Sequence, residues 1–410
     1  MKYLPLFLLA ALPSTGTALP VPGWLEPSTQ VRIGFDSNPA GTGGSSAAIL
    51  GDRDTLTFAA GGGIGLAWTG TATPKAAAKL TYNGEAVRFA DWSTENYSTH
   101  RFGLGGQVAA GAWTFSGEGS SLLVAGSRDT LQSVATVNAN GTTLWRERRR
   151  QWQHRLRLQA QASFGAYLAR ATGTLLAYDY QTRVVAGKVA FADRSDLQGA
   201  IDLGWKQSAG SLWIAGVRTG RQQQAMIPLP NCNFEYSNTY QRLAVGWEGK
   251  PAANTTLTFA AGPDFRQYSG GIDSRVFLGG RDRTSLWFEG GFATKLSPTL
   301  TLTGKATRMD WLSSTGKSAY LDTSVETAAA WTVAPAWTLR LTGKVHRCDY
   351  FPVYRDDWES VFGAGASLKV SKQAVLTLDA LRQRAWSTLS MLPEREFSRF
   401  VITVGATIKL

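Results

Sequence analysis

The chain has few of the residues that carry most enzyme chemistry and most covalent staples: 2 cysteines and 3 histidines in 410 residues. The histidines are His100, His154 and His346, scattered and without metal-ligand spacing, so neither a metal nor a cofactor is expected. No Gly-x-Ser-x-Gly elbow and no phosphate-cradling glycine loop occurs. Gly61-Gly62-Gly63 sits inside an alternating stretch, where small residues suit a bend or close packing. No nucleophile and base stand at a telling spacing, and the chain reads as a non-enzyme. Cys232 and Cys348 would face the same compartment, so one disulfide and two thiols are both open. Charged residues make up 18% of the chain, against roughly 25% in a soluble domain. Past the N-terminus no run of about 18 apolar residues occurs, which excludes a membrane-crossing helix.

Glycine and aromatics are abundant: Gly 44, Trp 15, Tyr 12 and Phe 18. Lys2, the apolar run Tyr3–Leu12 and the small residues Gly16-Thr17-Ala18 predict a signal peptide over 1–18, followed by a short segment over 19–28. From residue 29 to 410 the texture is uniform, which predicts one domain. Within it, apolar residues recur at every second position. In Gln151–Phe164, His154, Leu156, Leu158, Ala160 and Ala162 oppose Arg155, Arg157, Gln159 and Gln161. In Arg399–Leu410, Phe400, Ile402, Val404 and Ile408 oppose Arg399, Thr403, Thr407 and Lys409. A period of two puts alternate side chains on opposite faces of a strand.

Short turns such as Ala334-Pro335-Ala336 alternate along the chain with longer polar connections such as Gly126–Arg150 and Ala225–Asn238. That alternation predicts an all-β, up-and-down antiparallel barrel crossing a bacterial outer membrane, with about 18 strands and 16 as the lower count. The last strand is expected to close against the first near Gln30–Ser37. Trp68, Trp113, Trp152, Trp205, Trp247, Trp331 and Trp337, with Trp311 among others, fall near strand ends and are assigned to an aromatic girdle. Trp213 and Trp287 read as mid-strand and fit it less well. The expected partners are outer-membrane lipid and lipopolysaccharide. No nucleic-acid partner is expected, and a homo-oligomer is left open.

The net charge is +12. Arg146, Arg148, Arg149 and Arg150 cluster at the end of the longest connection. Arg155, Arg157, Arg242, Arg266, Lys305, Arg340 and Lys344 fall on inward positions, together with the acids Glu118 and Glu326. Rings of Arg or Lys bias a pore toward anions; ion-pair ladders between strands are the alternative. Gly126–Arg150 could fold inward as a constriction.

The chain resembles the outer-membrane β-barrels of Gram-negative bacteria over its mature length. Gly34-Phe35-Asp36-Ser37-Asn38 resembles the Gly-Tyr-Asp-Ser-Asn opening of β-barrel porins, some of them associated with polysaccharide export. The resemblance and the basic inward face together imply a passive channel for small anionic or polar solutes, or for an acidic polysaccharide. A non-conducting assembly barrel for a surface polymer or secretion system is the alternative.

Overall fold

A computed structural model describes residues 25–38, 54–70, 75–92, 96–127, 136–137, 144–145, 149–181, 184–185, 188–189, 192–225, 227–229, 232–234, 236–269, 282–313, 319–351, 355–388 and 396–409. The expected signal peptide lies outside them. Eighteen strands form one antiparallel sheet that closes on itself. In chain order they are β1 (Leu25–Asp36), β2 (Thr55–Gly70), β3 (Lys75–Phe89), β4 (Tyr97–Ala110), β5 (Trp113–Ser127) and β6 (Arg149–Phe164). Then come β7 (Tyr167–Tyr180), β8 (Arg194–Ser208), β9 (Ser211–Gln224), β10 (Asn238–Ala252), β11 (Thr255–Tyr268) and β12 (Arg283–Ser297). The last six are β13 (Leu300–Leu312), β14 (Ala319–Ala334), β15 (Trp337–Phe351), β16 (Arg355–Lys369), β17 (Ala374–Ser387) and β18 (Phe397–Lys409). Among the described residues there is no helix.

Eight connections on one rim are two to four residues long; the nine on the other rim are longer, 352–354 excepted. Two of the tight turns, Gly111-Ala112 and Gly165-Ala166, escape sequence inspection. Each opens on a glycine, Gly111 or Gly165, with φ of 59°. Two-residue hairpin turns need such a backbone at their first central position, and glycine adopts it without strain.

Alternation sorts the strand residues. Leu197, Ile201 and Leu203 of β8, and Leu243 and Val245 of β10, are all exposed on the outer surface. Their neighbours Asp196, Asp202 and Arg242 turn inward. A continuous apolar outer band around a closed sheet is stable against acyl chains, where every backbone group must be paired within the protein. The chain is therefore a transmembrane β-barrel of the bacterial outer membrane.

Closure joins β1 to β18 in the register Ser28↔Lys409 to Asp36↔Val401. β1 starts at Leu25, inside the segment expected to precede the barrel, because Leu25–Ser28 already pair with Leu66–Gly63 of β2. The Gly34–Asn38 stretch forms the upper end of the seam. A Cβ on Gly34 would lie 2.5 Å from the Ile402 carbonyl oxygen, so only glycine lets the two strands approach there. Phe35 faces outward beside Ile402. The Asp36 carboxylate, 1% exposed, accepts hydrogen bonds from the Arg399 guanidinium, with Nε 3.0 Å from Oδ1. The Ser37 amide donates to the Phe400 carbonyl (2.9 Å), and the Asn38 side-chain amide to the Ser398 carbonyl (3.2 Å).

Arg399→Ala would leave the Asp36 carboxylate buried without its cation, at a cost on the order of 3 kcal/mol. Urea unfolding of the folded, lipid-embedded barrel measures this. In a double-mutant cycle Asp36→Ala should cost little more once Arg399 is gone. Strictly additive losses would mean that the pair does not hold the seam.

Candidate functional site: the charged lumen

The inner face carries two kinds of charge. On β7 to β12 most charges are buried and paired. Arg242 Nε lies 2.9 Å from Asp264 Oδ2, and Arg266 Nη2 also lies 2.9 Å from it. Arg266 is held further by Gln222 Oε1 (2.8 Å) and Asn238 Oδ1 (3.1 Å). The Tyr240 ring lies between the two guanidinium groups, 4.3 Å from Arg242 and 4.7 Å from Arg266. Arg170 bridges Asp202 and Glu248, and Arg218 and Arg242 lie over the Trp287 ring. Adjacent strands in register put these long side chains side by side, which gives each cation a carboxylate or an aromatic face.

Burial sharpens the expectation for two of the inward arginines. Arg242 and Arg266 point inward, each only 2% exposed and held in a packed ion-pair wall; of the two, Arg242 also borders the lumenal cavity described next. Trp287 is a lumenal platform for arginines.

The second kind of charge lines a lumenal cavity of about 1160 Å³. Arg155, Arg157, Lys305, Lys344, Glu118 and Glu326 all reach it. Lys344 Nζ lies 3.0 Å from Glu326 Oε1, and outside this cavity lining Arg340 Nη2 lies 2.9 Å from Asp379 Oδ1. Arg155, Arg157 and Lys305 have no ion-pair partner among the described residues, and of the acids in this set the same is true of Glu118 alone.

The cavity has a roof that sequence reasoning missed. The rungs between β12 and β13 stop at Phe288↔Arg308, although β12 continues up to Arg283 and β13 up to Leu312. Beyond that point the tips of β13, β14 and β15 tuck into the lumen. The carbonyl groups released from the ladder are taken up by side chains of the far wall. Gln222 donates to the Asp310 carbonyl at 3.0 Å, Arg194 to that of Leu312, and Gln224 to that of Ser313. Asp310 reaches back to Arg266 and Arg283, both at 3.6 Å, and accepts a hydrogen bond from Ser285. On the back of the tuck, Leu312 and Ala319 pack on Tyr236, flanked by Tyr268 and Phe351. On its front, Trp311, Tyr320, Cys348 and Tyr350 form a cluster against Leu176 and Tyr178 of β7. Trp311, assigned to the girdle from the sequence, is therefore a lumenal residue; burial against Tyr178 and under the Arg194 guanidinium holds it there. The expected constriction, Gly126–Arg150, lies largely outside the described residues.

Trp68, Trp113, Trp205, Trp331 and Trp337 are exposed near the short-turn rim, and Trp247 is partly exposed there. Trp213 is no mid-strand residue. It is third in β9 and pairs with both Trp205 and Trp247. Its indole N–H reaches Gln207 (3.2 Å), and that of Trp247 reaches Ser211 (2.8 Å). Trp152 stands at the opposite rim, stacked on His154 with ring centroids 5.8 Å apart.

Cys348 is buried and its Sγ lies 3.4 Å from His346 Nε2. The side chain of Cys232 lies outside the described residues, and with it the expected pairing. The cross-strand register brings Asp322, His346 and Cys348 together, a grouping that linear spacing did not reveal.

No protein-family model and no curated protein sequence matches the chain. Solved structures of similar shape include the outer membrane protein OpdK of Pseudomonas aeruginosa, at 9% identity and TM-score 0.44 over 94% of this chain and 99% of that one. OccK2 (OpdF) of the same organism, solved with glucuronate, shows 10% identity and TM-score 0.43 over 94% and 98%. The ferric-catecholate import receptor Fiu of E. coli K12 shows 8% and 0.45 over 94% and 81%. A likeness this distant assigns no residue role.

Asp264 is the shared carboxylate of the buried wall. Asp264→Ala would strand the Arg242 and Arg266 charges, and a loss of about 3–5 kcal/mol is expected. A melt of the detergent-solubilised barrel, followed by heat-dependent gel mobility, should show an earlier transition. An unchanged melt would mean that water already reaches the two guanidinium groups.

Proposed function

We propose that the protein is a passive outer-membrane channel for small anionic or polar solutes. The observation that carries this is the balance of unpaired charge along the cavity. Arg155, Arg157 and Lys305 lack an ion-pair partner among the described residues, against Glu118 and Asp196 on the acid side, the latter held by Tyr240 and Gln222. A close ion pair presents a dipole, whose field fades faster with distance than that of a single charge. A solute entering the cavity meets mainly the field of these unpaired groups, in which the cations outnumber the acids. The roof built by Trp311 and Tyr320 restricts the upper lumen and favours compact solutes over a polymer such as an acidic polysaccharide. The tryptophans of the short-turn rim serve as an interfacial girdle, with indole rings half in lipid and N–H groups toward water. Catalysis is no part of this reading.

The same roof is the one feature that favours the second reading, a non-conducting assembly barrel. Single-channel recording in planar bilayers separates the two, since steps of conductance exclude a sealed barrel. Under a salt gradient the reversal potential should report anion preference. Arg155→Glu combined with Arg157→Glu should move it toward cations. Cation preference in the parent protein, or a reversal potential untouched by the charge reversal, would overturn the assignment.

Trp311→Ala should raise the single-channel conductance, because it removes the large ring that joins the tucked tips to β7. Equal conductance in parent and variant would place the narrowest point elsewhere.

A further inference from the structure

The cluster at the base of the tucked tips has the composition and spacing of a metal site. We propose that Asp322, His346 and Cys348 bind one divalent transition-metal ion of borderline softness, such as Zn²⁺. His346 and Cys348 are two apart on β15 and share a face. Asp322 of β14 stands directly opposite Cys348 in the register. The His346 Nε2 is 3.0 Å from Asp322 Oδ2 and 3.4 Å from Cys348 Sγ, and the three ligand atoms lie within 4.8 Å of one another. Bonds of about 2.0–2.3 Å in a tetrahedral zinc site put ligand atoms about 3.3–3.8 Å apart. The His346–Cys348 distance already falls in that range, and closing the third edge, between Asp322 and Cys348, from at most 4.8 Å takes a shift of up to about 1 Å.

The surroundings fit the ligand set. On the other side of β15, Glu359 of β16 faces His346 in register, with Oε2 4.0 Å from Nδ1. At this distance the carboxylate is beyond hydrogen-bond range, but its charge favours the tautomer with the proton on Nδ1, which leaves Nε2 to ligate. Cys348 is enclosed by Trp311, Tyr320 and Tyr350, which shields the sulfur from water. Asp322, His346 and Glu359 line the cavity, so a fourth position opens toward solvent. The cations beside the cluster are both engaged: Lys344 with Glu326, and Arg355 of β16 with Asp357. Thiolate, imidazole and carboxylate together select zinc, cobalt or copper over magnesium and calcium. On binding, the metal replaces the thiol proton of Cys348, which passes to solvent, and takes over the histidine lone pair that Nε2 offers.

The test uses the full-length barrel folded in detergent, with heat-dependent gel mobility to confirm the fold of each variant. Equilibrium dialysis against Zn²⁺ should give one ion per chain. Loading with Co²⁺ should give a thiolate-to-metal charge-transfer band in the near ultraviolet. Cys348→Ser should abolish that band. His346→Ala and Asp322→Asn should weaken Zn²⁺ binding by at least about tenfold. Asp322→Asn keeps the shape of the side chain, so it reports on ligation even if the histidine variant fails to fold. Glu26→Gln, on the far rim, should leave the affinity unchanged. The proposal falls if no stoichiometric ion binds, if uptake is equal in all variants, or if cobalt binds without the thiolate band. It also falls if non-reducing peptide mapping finds Cys348 in a disulfide. None of these readouts depends on conduction.

Discussion

The structure depends on one constraint: in hydrocarbon a backbone N–H or C=O has no water to turn to, so the sheet must have no edge. Closure of β1 on β18 meets it. The outward apolar faces exist only because the ring is closed, and the lumen exists only because the ring is wide. The seam is also where the chain is most specific. Gly34 admits the neighbouring strand, Asp36 holds Arg399, and Ser37 and Asn38 bond to the β18 backbone at its upper end. The Gly34–Asn38 motif thus has a mechanical reason in this chain. It works as a latch between strands that are 363 residues apart in sequence at the Asp36–Arg399 pair.

The same constraint explains the tuck. Once the rungs between β12 and β13 stop at Phe288↔Arg308, polar backbone groups are released near the outer rim. Arg194, Gln222 and Gln224 supply donors from across the lumen, and Asp310 supplies the charge that binds the tips to Arg266 and Arg283. Arg194, Arg266 and Arg283 are therefore part of the roof. The charges of Arg266 and Arg283 are neutralised locally, which is why they add little to the field in the cavity below.

Much of the barrel was legible from the chain, because one rule with period two governs every strand. The strand number, the facing of Leu156 and Leu158 against Arg155 and Arg157, and the closing pair of strands all follow from it. Two hairpins at Gly111 and Gly165 were silent, since a two-residue glycine turn leaves almost no composition to read. Alternation gives the side of the sheet a residue takes and stops there. Arg266 and Lys305 look alike in sequence, yet one is locked between Asp264 and Asp310 and the other faces the cavity. Trp311 near a strand end looks like any girdle tryptophan until the strand tip bends inward. The meeting of Asp322 with His346 and Cys348 depends on the register of β14 against β15, which no spacing along the chain expresses.

A division of labour among the inward charges follows. A pair such as Arg242–Asp264 has given up its hydration and gains it back through close contact, so it is rigid and electrically quiet. Arg155, Arg157 and Lys305 keep their water and their long-range field. The first group sets the shape of the lumen, and the second sets what is drawn into it. The two groups are also separated around the wall: the quiet pairs concentrate on β7 to β12, while the unpaired cations stand on β6 and β13, on either side of that block. The roof made by Trp311 and Tyr320 is held to the quiet side through Arg194. Shape and charge can therefore be changed separately, because few side chains serve both.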